Sequence, residues 1–387
     1  MKNEIKNVMD IAVERGEVAG CNALIISGGR EIAYAESGYK NVERKTPFER
    51  DTIMRLYSMS KPITSAAVIM LMDRGMIDLG DAVGKFIPSF YDAHVATPAG
   101  RVKADRPVTL RDLLNMASGA VYPGNSTAAE CQSAALFDEL IKKLGTADEM
   151  STMELAERIG KLDFDFQPGE TFKYGTSADI LGAVVEAVSG VRFGDFLKKE
   201  FFEPLGMIDT DFWVPAEKMN RVADVYDSVN GQVKFTVTDH LGINYKADHR
   251  PAFESGGAGL FSTLDDYSHF AEMLMNNGEY NGKRLLSEKA VKFMTNGSIA
   301  PWQQKGLDTW DGLTGYTYGN LMRVLRDPSR CLTYGEVGEY GWDGWLGAYF
   351  SNDPQNKLTI LIGMQKLNAG TWNLTRKIRN LVYKEVR

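Results

Sequence analysis

Apolar positions recur at helical spacing over residues 4–15, where Ile5, Val8, Met9, Ile11 and Ala12 share one face and Gly16 ends the run. The chain therefore opens with an amphipathic helix. Two short apolar runs, 21–26 and 31–35, flank Ser27-Gly28-Gly29-Arg30 and predict a β-hairpin. Residues 58–74 return to a helical pattern, with Ser58 as N-cap, Pro62 in the first turn and Gly75 just past the end. From about 80 to 250 helical patterns and loops dominate, with helices expected over 110–116, 135–144, 153–159, 178–188 and 193–199. Strand patterns return at 321–325, 347–350 and 358–364, and 371–386 closes the chain as a helix.

Strands at both ends with a helical block between them predict an α/β (α+β) fold: an antiparallel sheet, flanked by the N- and C-terminal helices, carrying a large helical insertion. The expected boundaries are 1–80 with 250–387 for the α/β domain and 81–249 for the mainly helical one. A cleft between the two is the default place for a ligand.

Composition narrows the function. Of 387 residues, 44 are Lys or Arg and 51 are Asp or Glu, for a net charge of -7 without any basic cluster, which argues against a nucleic-acid partner. With 44% hydrophobic and 25% charged residues the chain has ample material for a core. The densest apolar stretches, such as 66–72 and 358–364, are far too short to span a bilayer. The first residues, Met1-Lys2-Asn3-Glu4-Ile5-Lys6, lack the apolar core of a signal peptide, so a cytoplasmic location is expected. Cys21, Cys131 and Cys331 are odd in number and far apart, and are expected to be reduced and buried. A homo-oligomer is left open.

Four histidines, no H-E-x-x-H and no G-x-S-x-G make a zinc hydrolase or a Ser-His-Asp enzyme a poor fit. Neither metal nor other cofactor is expected, and the catalytic base of a hydrolase with this composition is something other than histidine.

Three segments carry candidate chemistry. In Ser58-Met59-Ser60-Lys61 the serine and lysine are three apart, so on a helix they share a face and the hydroxyl can reach the amine. Free N–H groups at the helix start can stabilise an oxyanion there. The same spacing at Ser37 and Lys40 falls on a strand, where positions three apart face opposite ways, and is rejected as a pair. In the second segment, Pro168-Gly169 marks a turn and Tyr174 sits on a loop entering a helix; beside a lysine ammonium its phenol could ionise in part and carry a proton. The third, Gly341-Trp342-Asp343-Gly344-Trp345-Leu346-Gly347, has the glycines of an edge strand that approaches a ligand closely.

Taken in order, Ser58-x-x-Lys61, Tyr174-Gly175-Thr176 and Trp342-Asp343-Gly344 resemble the three motifs of the serine β-lactamase and penicillin-binding-protein superfamily, and in particular class C β-lactamases and family VIII carboxylesterases. The stretches 108–119, 166–190, 203–207 and 256–263 extend the resemblance along nearly the whole chain. It implies Ser58 as the nucleophile of an acyl-enzyme, Lys61 and Tyr174 as general base and acid, and the N–H groups of Ser58 and Trp345 as oxyanion hole. Which of Lys61 and Tyr174 is the base stays open, since the two would titrate together.

Two departures bear on substrate. The tyrosine motif ends in Thr176 where the β-lactamases carry Asn, and the third motif begins with Trp342 where they carry Lys, followed here by Asp343. An anionic substrate loses its partner. The resemblance thus implies a carboxylesterase for small neutral esters, with Thr176, Trp342, Asp343, Gly344 and Trp345 as substrate contacts and Tyr349 as a further aromatic one. The alternatives are a β-lactamase or DD-peptidase, for which Arg323 or Arg326 would hold the carboxylate, an acyltransferase, and a non-catalytic member that only binds. Strand alternation also allows Asp343 a purely structural place.

Overall fold

The computed structural model describes residues 1–386. Eight strands form one antiparallel sheet: β1 (Gly20–Ser27), β2 (Arg30–Asn41), β3 (Thr46–Pro47), β4 (Tyr316–Gly319), β5 (Met322–Leu325), β6 (Tyr340–Asp343), β7 (Tyr349–Asp353) and β8 (Leu358–Met364). Their order across the sheet is β4-β5-β6-β7-β8-β1-β2-β3, so the two chain ends meet where β8 pairs with β1 in the register Ile25↔Ile360. This is the mixed α/β antiparallel architecture expected from the apolar pattern.

Both faces of the sheet are covered. On one, Ile25 of β1 and Ile360 and Ile362 of β8 pack with Ile5 and Met9 of helix α1 (Lys2–Glu14) and with Ile378 and Val382 of helix α5 (Asn373–Tyr383). On the other, Leu24, Leu361 and Phe350 join a larger core with Ile63 of helix α2 (Lys61–Asp73), Val184 of α3 (Ser177–Ser189) and Phe270 of α4 (Leu264–Met275). Alternate residues of one strand thus serve opposite cores, which is why β1 and β8 read as continuous apolar runs.

Several expectations need correction. Residues 58–74 do not form one helix capped by Ser58. Tyr57–Ser60 is a 3₁₀ turn, α2 begins at Lys61, and Ser60 occupies its N-cap without a side-chain cap; the Ser60 hydroxyl instead accepts from the N–H of Leu260 at 3.1 Å. The strand of the third motif, β6, is not at an edge but lies between β5 and β7. Besides its helices the stretch 81–249 holds short strands, among them His94–Thr97 with Gly100–Lys103 and the hairpin Tyr226–Val229 with Gln232–Phe235; at four residues each, with Val95 and Tyr226 as their only fully buried side chains, they carry no period to read. Of the cysteines only Cys21 is buried, while Cys131 is exposed. No helix among the described residues is long and apolar enough to cross a membrane.

Candidate active site

The segment entering α2 is fixed from both sides. Met54–Arg55 pairs with Phe261–Ser262, and the N–H of Leu56 donates to the carbonyl of Leu260 at 2.9 Å. Tyr57, buried, then takes a left-handed φ of 46°, an uncommon conformation for a bulky residue. It turns the chain sharply so that Ser58 stands half-buried at the cleft floor, one turn before Lys61.

Lys61 is fully buried. Its Nζ donates to Ser58 Oγ at 3.0 Å, to the Tyr122 hydroxyl at 3.0 Å and to the carbonyl of Gly257 at 2.8 Å. Burial pulls its pKa down to about 7, against the opposing pull of Asp179 and Asp343, which favour the ammonium. Three acceptors satisfy the three donors of the charged form, and loss of one proton leaves a lone pair that can accept from Ser58.

The carbonyl that receives Lys61 is held in turn. Gly257 donates its N–H to Asp179 Oδ1 at 3.0 Å, Ser255 Oγ donates to the same oxygen, and Thr64 of α2 donates to the carbonyl of Gly256 at 2.6 Å. A Cβ at position 257 would lie 2.9 Å from Asp179 Oδ2 and 3.0 Å from the Tyr122 hydroxyl. Only glycine lets this backbone approach both groups.

Tyr174 lies on the other side of Ser58. Its hydroxyl accepts from Trp342 Nε1 at 2.9 Å, and Lys61 Nζ sits 4.5 Å from its ring centroid. Burial pushes the phenol well above its usual pKa, and the hydrogen bonds of Ser58 and Trp342 only partly offset this. Burial thus favours the protonated phenol, against the partial ionisation expected from the sequence. Tyr122 is likewise pushed well up by burial, so both phenols keep their protons at neutral pH.

The third motif closes the site. Trp342 is buried, donates to Tyr174, and packs edge-on against Tyr318 at 5.0 Å. A Cβ on Gly344 would come within 2.1 Å of the Leu56 carbonyl, so glycine brings the end of β6 against the turn that carries Ser58. The following tight turn uses the N–H of Gly344, to Ala348 at 2.7 Å, and the carbonyl of Trp345, from Ala369 at 3.0 Å. The Trp345 indole donates to Asn368 Oδ1 at 2.7 Å and packs on His240 with centroids 4.1 Å apart.

These groups line a cleft of about 330 Å³. Ser58, Tyr174, Trp342, Asp343, Gly344 and Trp345 face it, joined by Trp310 and the segment 368–370. Thr176 does not: it is buried at the N-cap of α3, away from the cleft lining. Tyr349 is buried too, with its hydroxyl bonded by Arg379. Arg323 is buried and donates to the Phe350 carbonyl, and Arg326 donates to the carbonyl of Asn296, so neither reaches the cleft. The rejected pair is indeed split, with Ser37 bonded to Asp10 and Lys40 to Glu49.

Sequence reasoning missed Tyr122, Asp179, the Gly257 carbonyl and Trp310. Tyr122 follows the stretch 108–119 by three residues on a loop, and Asp179 lies five residues after Tyr174 in the helix that follows; nothing local distinguishes either from ordinary polar residues.

A serine and lysine so paired, beside a helix packed against this sheet, define a serine hydrolase of the β-lactamase and penicillin-binding-protein class. The chain belongs to the beta-lactamase family, whose model, described as Beta-lactamase, matches residues 5–381. It is similar to Protein Rv1367c of Mycobacterium tuberculosis, 28% identical with 91% of this chain and 87% of that protein covered. It is also similar to Esterase EstB of Burkholderia gladioli, 26% identical over 97% of this chain and 93% of that protein. Among solved structures, EstCE1, described as a hydrolase with promiscuous acyltransferase activity, superposes with a TM-score of 0.82 at 23% identity, covering 98% of each chain.

Proposed function

We propose that the protein is a serine carboxylesterase acting on small, neutral, short-chain acyl esters. The observation that carries this reading is the buried Lys61 amine 3.0 Å from Ser58 Oγ, with a pKa of about 7. An amine so tuned is half unprotonated at neutral pH and serves as general base. Lys61 takes the proton as Ser58 Oγ bonds to the ester carbonyl carbon, and the N–H groups of Ser58 and Trp345 receive the oxyanion. The C–O bond to the alcohol then breaks, the leaving oxygen takes the Tyr174 proton, and Lys61 restores it. Water repeats the sequence on the acyl-enzyme, releasing the acid and freeing Ser58.

The substrate limit comes from the cleft lining, which among the described residues contains no Lys, Arg or His and one carboxylate, Asp343. The esterase name of EstB agrees with this reading. Acyl transfer to an alcohol is the second reading, favoured by the promiscuous acyltransferase activity ascribed to EstCE1 and needing only an alcohol in place of water.

A kinetic panel tests the assignment: nitrophenyl esters of short and medium chain, a chromogenic cephalosporin and a D-Ala-D-Ala peptide, each with wild type and Ser58→Ala. Ester turnover should exceed the others and vanish in Ser58→Ala. Faster cephalosporin turnover would sink the esterase reading, and product analysis with added alcohols separates hydrolysis from transfer.

A further inference from the structure

Of the four aromatic side chains that line the cleft, Trp310 is the most exposed, at 39%. Its ring stands edge-on to Tyr174 with centroids 5.2 Å apart and is stacked with Trp342 at 6.3 Å. An exposed tryptophan is ordinary by itself; this one is held in place beside the phenol. It follows the helix Pro301–Leu307, whose Gln303 side chain donates to the Gly169 carbonyl at 2.9 Å and whose Trp302 indole donates to the same oxygen at 3.2 Å. Gln304 of that helix donates to the carbonyl of Tyr316, the first residue of β4, at 2.9 Å.

Trp310 itself donates its N–H to the Leu307 carbonyl at 3.0 Å and accepts from Leu313 at 2.8 Å. The helix before it is therefore tied both to the sheet and to the loop that leads into Tyr174. Its position over that side of the cleft is set before any ligand arrives.

The proposed mechanism fixes which part of an ester meets this ring. The leaving oxygen takes its proton from Tyr174, so it must come within about 2.6–3.2 Å of that hydroxyl. The carbon group it carries then runs along the Tyr174 side of the cleft, where Trp310 stands, while the carbonyl oxygen turns to the N–H groups of Ser58 and Trp345. A flat apolar group laid there takes the exposed indole out of water and gains an aromatic pair; a short alkyl chain covers less of it and gains no pair. At about 330 Å³ the cleft is near the small end of the range for small-molecule sites, about 300–1,000 Å³, which suits one ring and a short acyl group. We infer that Trp310 is the platform for the alcohol part of the ester, and that the substrates are esters of arylalkyl alcohols, of which benzyl is the simplest. The inference rests on the esterase reading and deepens it, since it names the half of the ester which that reading leaves open.

The test holds the acyl group constant and varies the alcohol, with benzyl acetate against ethyl acetate. In wild type, kcat/KM for the benzyl ester should exceed that for the ethyl ester about tenfold, the combined size of the ring's burial and one aromatic pair. Trp310→Ala should lower this ratio about fivefold, and Trp310→Phe, which keeps a ring, should retain most of it. A second series, nitrophenyl acetate against nitrophenyl butyrate, holds the alcohol constant, and its ratio should be the same in wild type and Trp310→Ala. A wild-type benzyl-to-ethyl ratio at or below one, a ratio unchanged in Trp310→Ala, or a change confined to the acyl series overturns the inference. Ser58-dependent hydrolysis of nitrophenyl acetate tests the esterase reading alone. If it is present and the alcohol ratio is flat, only the inference falls; if no ester is turned over, the esterase reading falls and the inference with it.

Discussion

Replacing Lys61 by Met should change how stability depends on pH, in a direction set by burial. The lysine has an ordinary pKa of 10.5 and one of about 7 in the folded protein, where desolvation disfavours the ammonium. Between these values the unfolded chain binds more protons than the folded one, so folding becomes more favourable as pH rises, by about 1.4 kcal/mol per pH unit. Below about pH 7 both states hold the proton and the dependence flattens. Integration from about pH 7 to pH 9, with half the folded molecules already deprotonated at the start, gives a gain of about 2 kcal/mol. Lys61→Met has no such group. The stability of wild type relative to the variant, from denaturant unfolding at about pH 5, 7 and 9, should therefore be nearly constant over the first interval and rise by about 2 kcal/mol over the second. Using the difference cancels most titrations common to both proteins. A difference that stays flat to about pH 9, or falls, would refute the claim that Lys61 is held near neutrality, and with it the base assignment.

Three further changes probe the groups around this amine. Asp179→Asn removes a charge that favours the Lys61 ammonium, so the acidic limb of kcat/KM should move to lower pH; an unmoved limb would detach Asp179 from the base. Trp342→Phe deletes the donor to the Tyr174 hydroxyl and should lower kcat about fivefold with little change in KM, as expected for about 1 kcal/mol of one hydrogen bond, and steady-state kinetics would show it. Gly344→Ala places a Cβ 2.1 Å from the Leu56 carbonyl, so it should cost about 1–3 kcal/mol of stability and misplace Ser58, with thermal unfolding and ester turnover falling together.

The fold was legible where burial imposes a pattern on both faces of an element. Residues 358–364 form β8 with the bounds read from the sequence, because Leu358, Ile360, Leu361, Ile362 and Met364 enter two apolar cores and make the run densely apolar. Tyr316–Gly319 was not legible: it is a strand through pairing with β5, yet tyrosine, threonine and glycine at its positions carry no period of their own. The 3₁₀ turn at Ser58 escaped for a related reason. The helical apolar spacing runs through it, and only the left-handed backbone at Tyr57, fixed by Met54–Arg55 pairing with a strand far away in sequence, breaks the helix there.

The site divides along the same line. Ser58 and Lys61 are neighbours on one helical segment, so their spacing alone brings them together, and order along the chain adds Tyr174 and Trp342. What tunes them is non-local. The Lys61 amine is lowered by complete burial, and its acceptors come from Tyr122 and Gly257, which no spacing relates to it. The same non-locality reverses the reading of Tyr174. From sequence a nearby ammonium argues for a partly ionised phenol, whereas in the fold desolvation acts on both groups, lowering the amine and raising the phenol. One burial effect therefore acts on both groups in opposite senses: it favours the neutral amine of Lys61 and the protonated phenol of Tyr174, the states that the proposed mechanism requires.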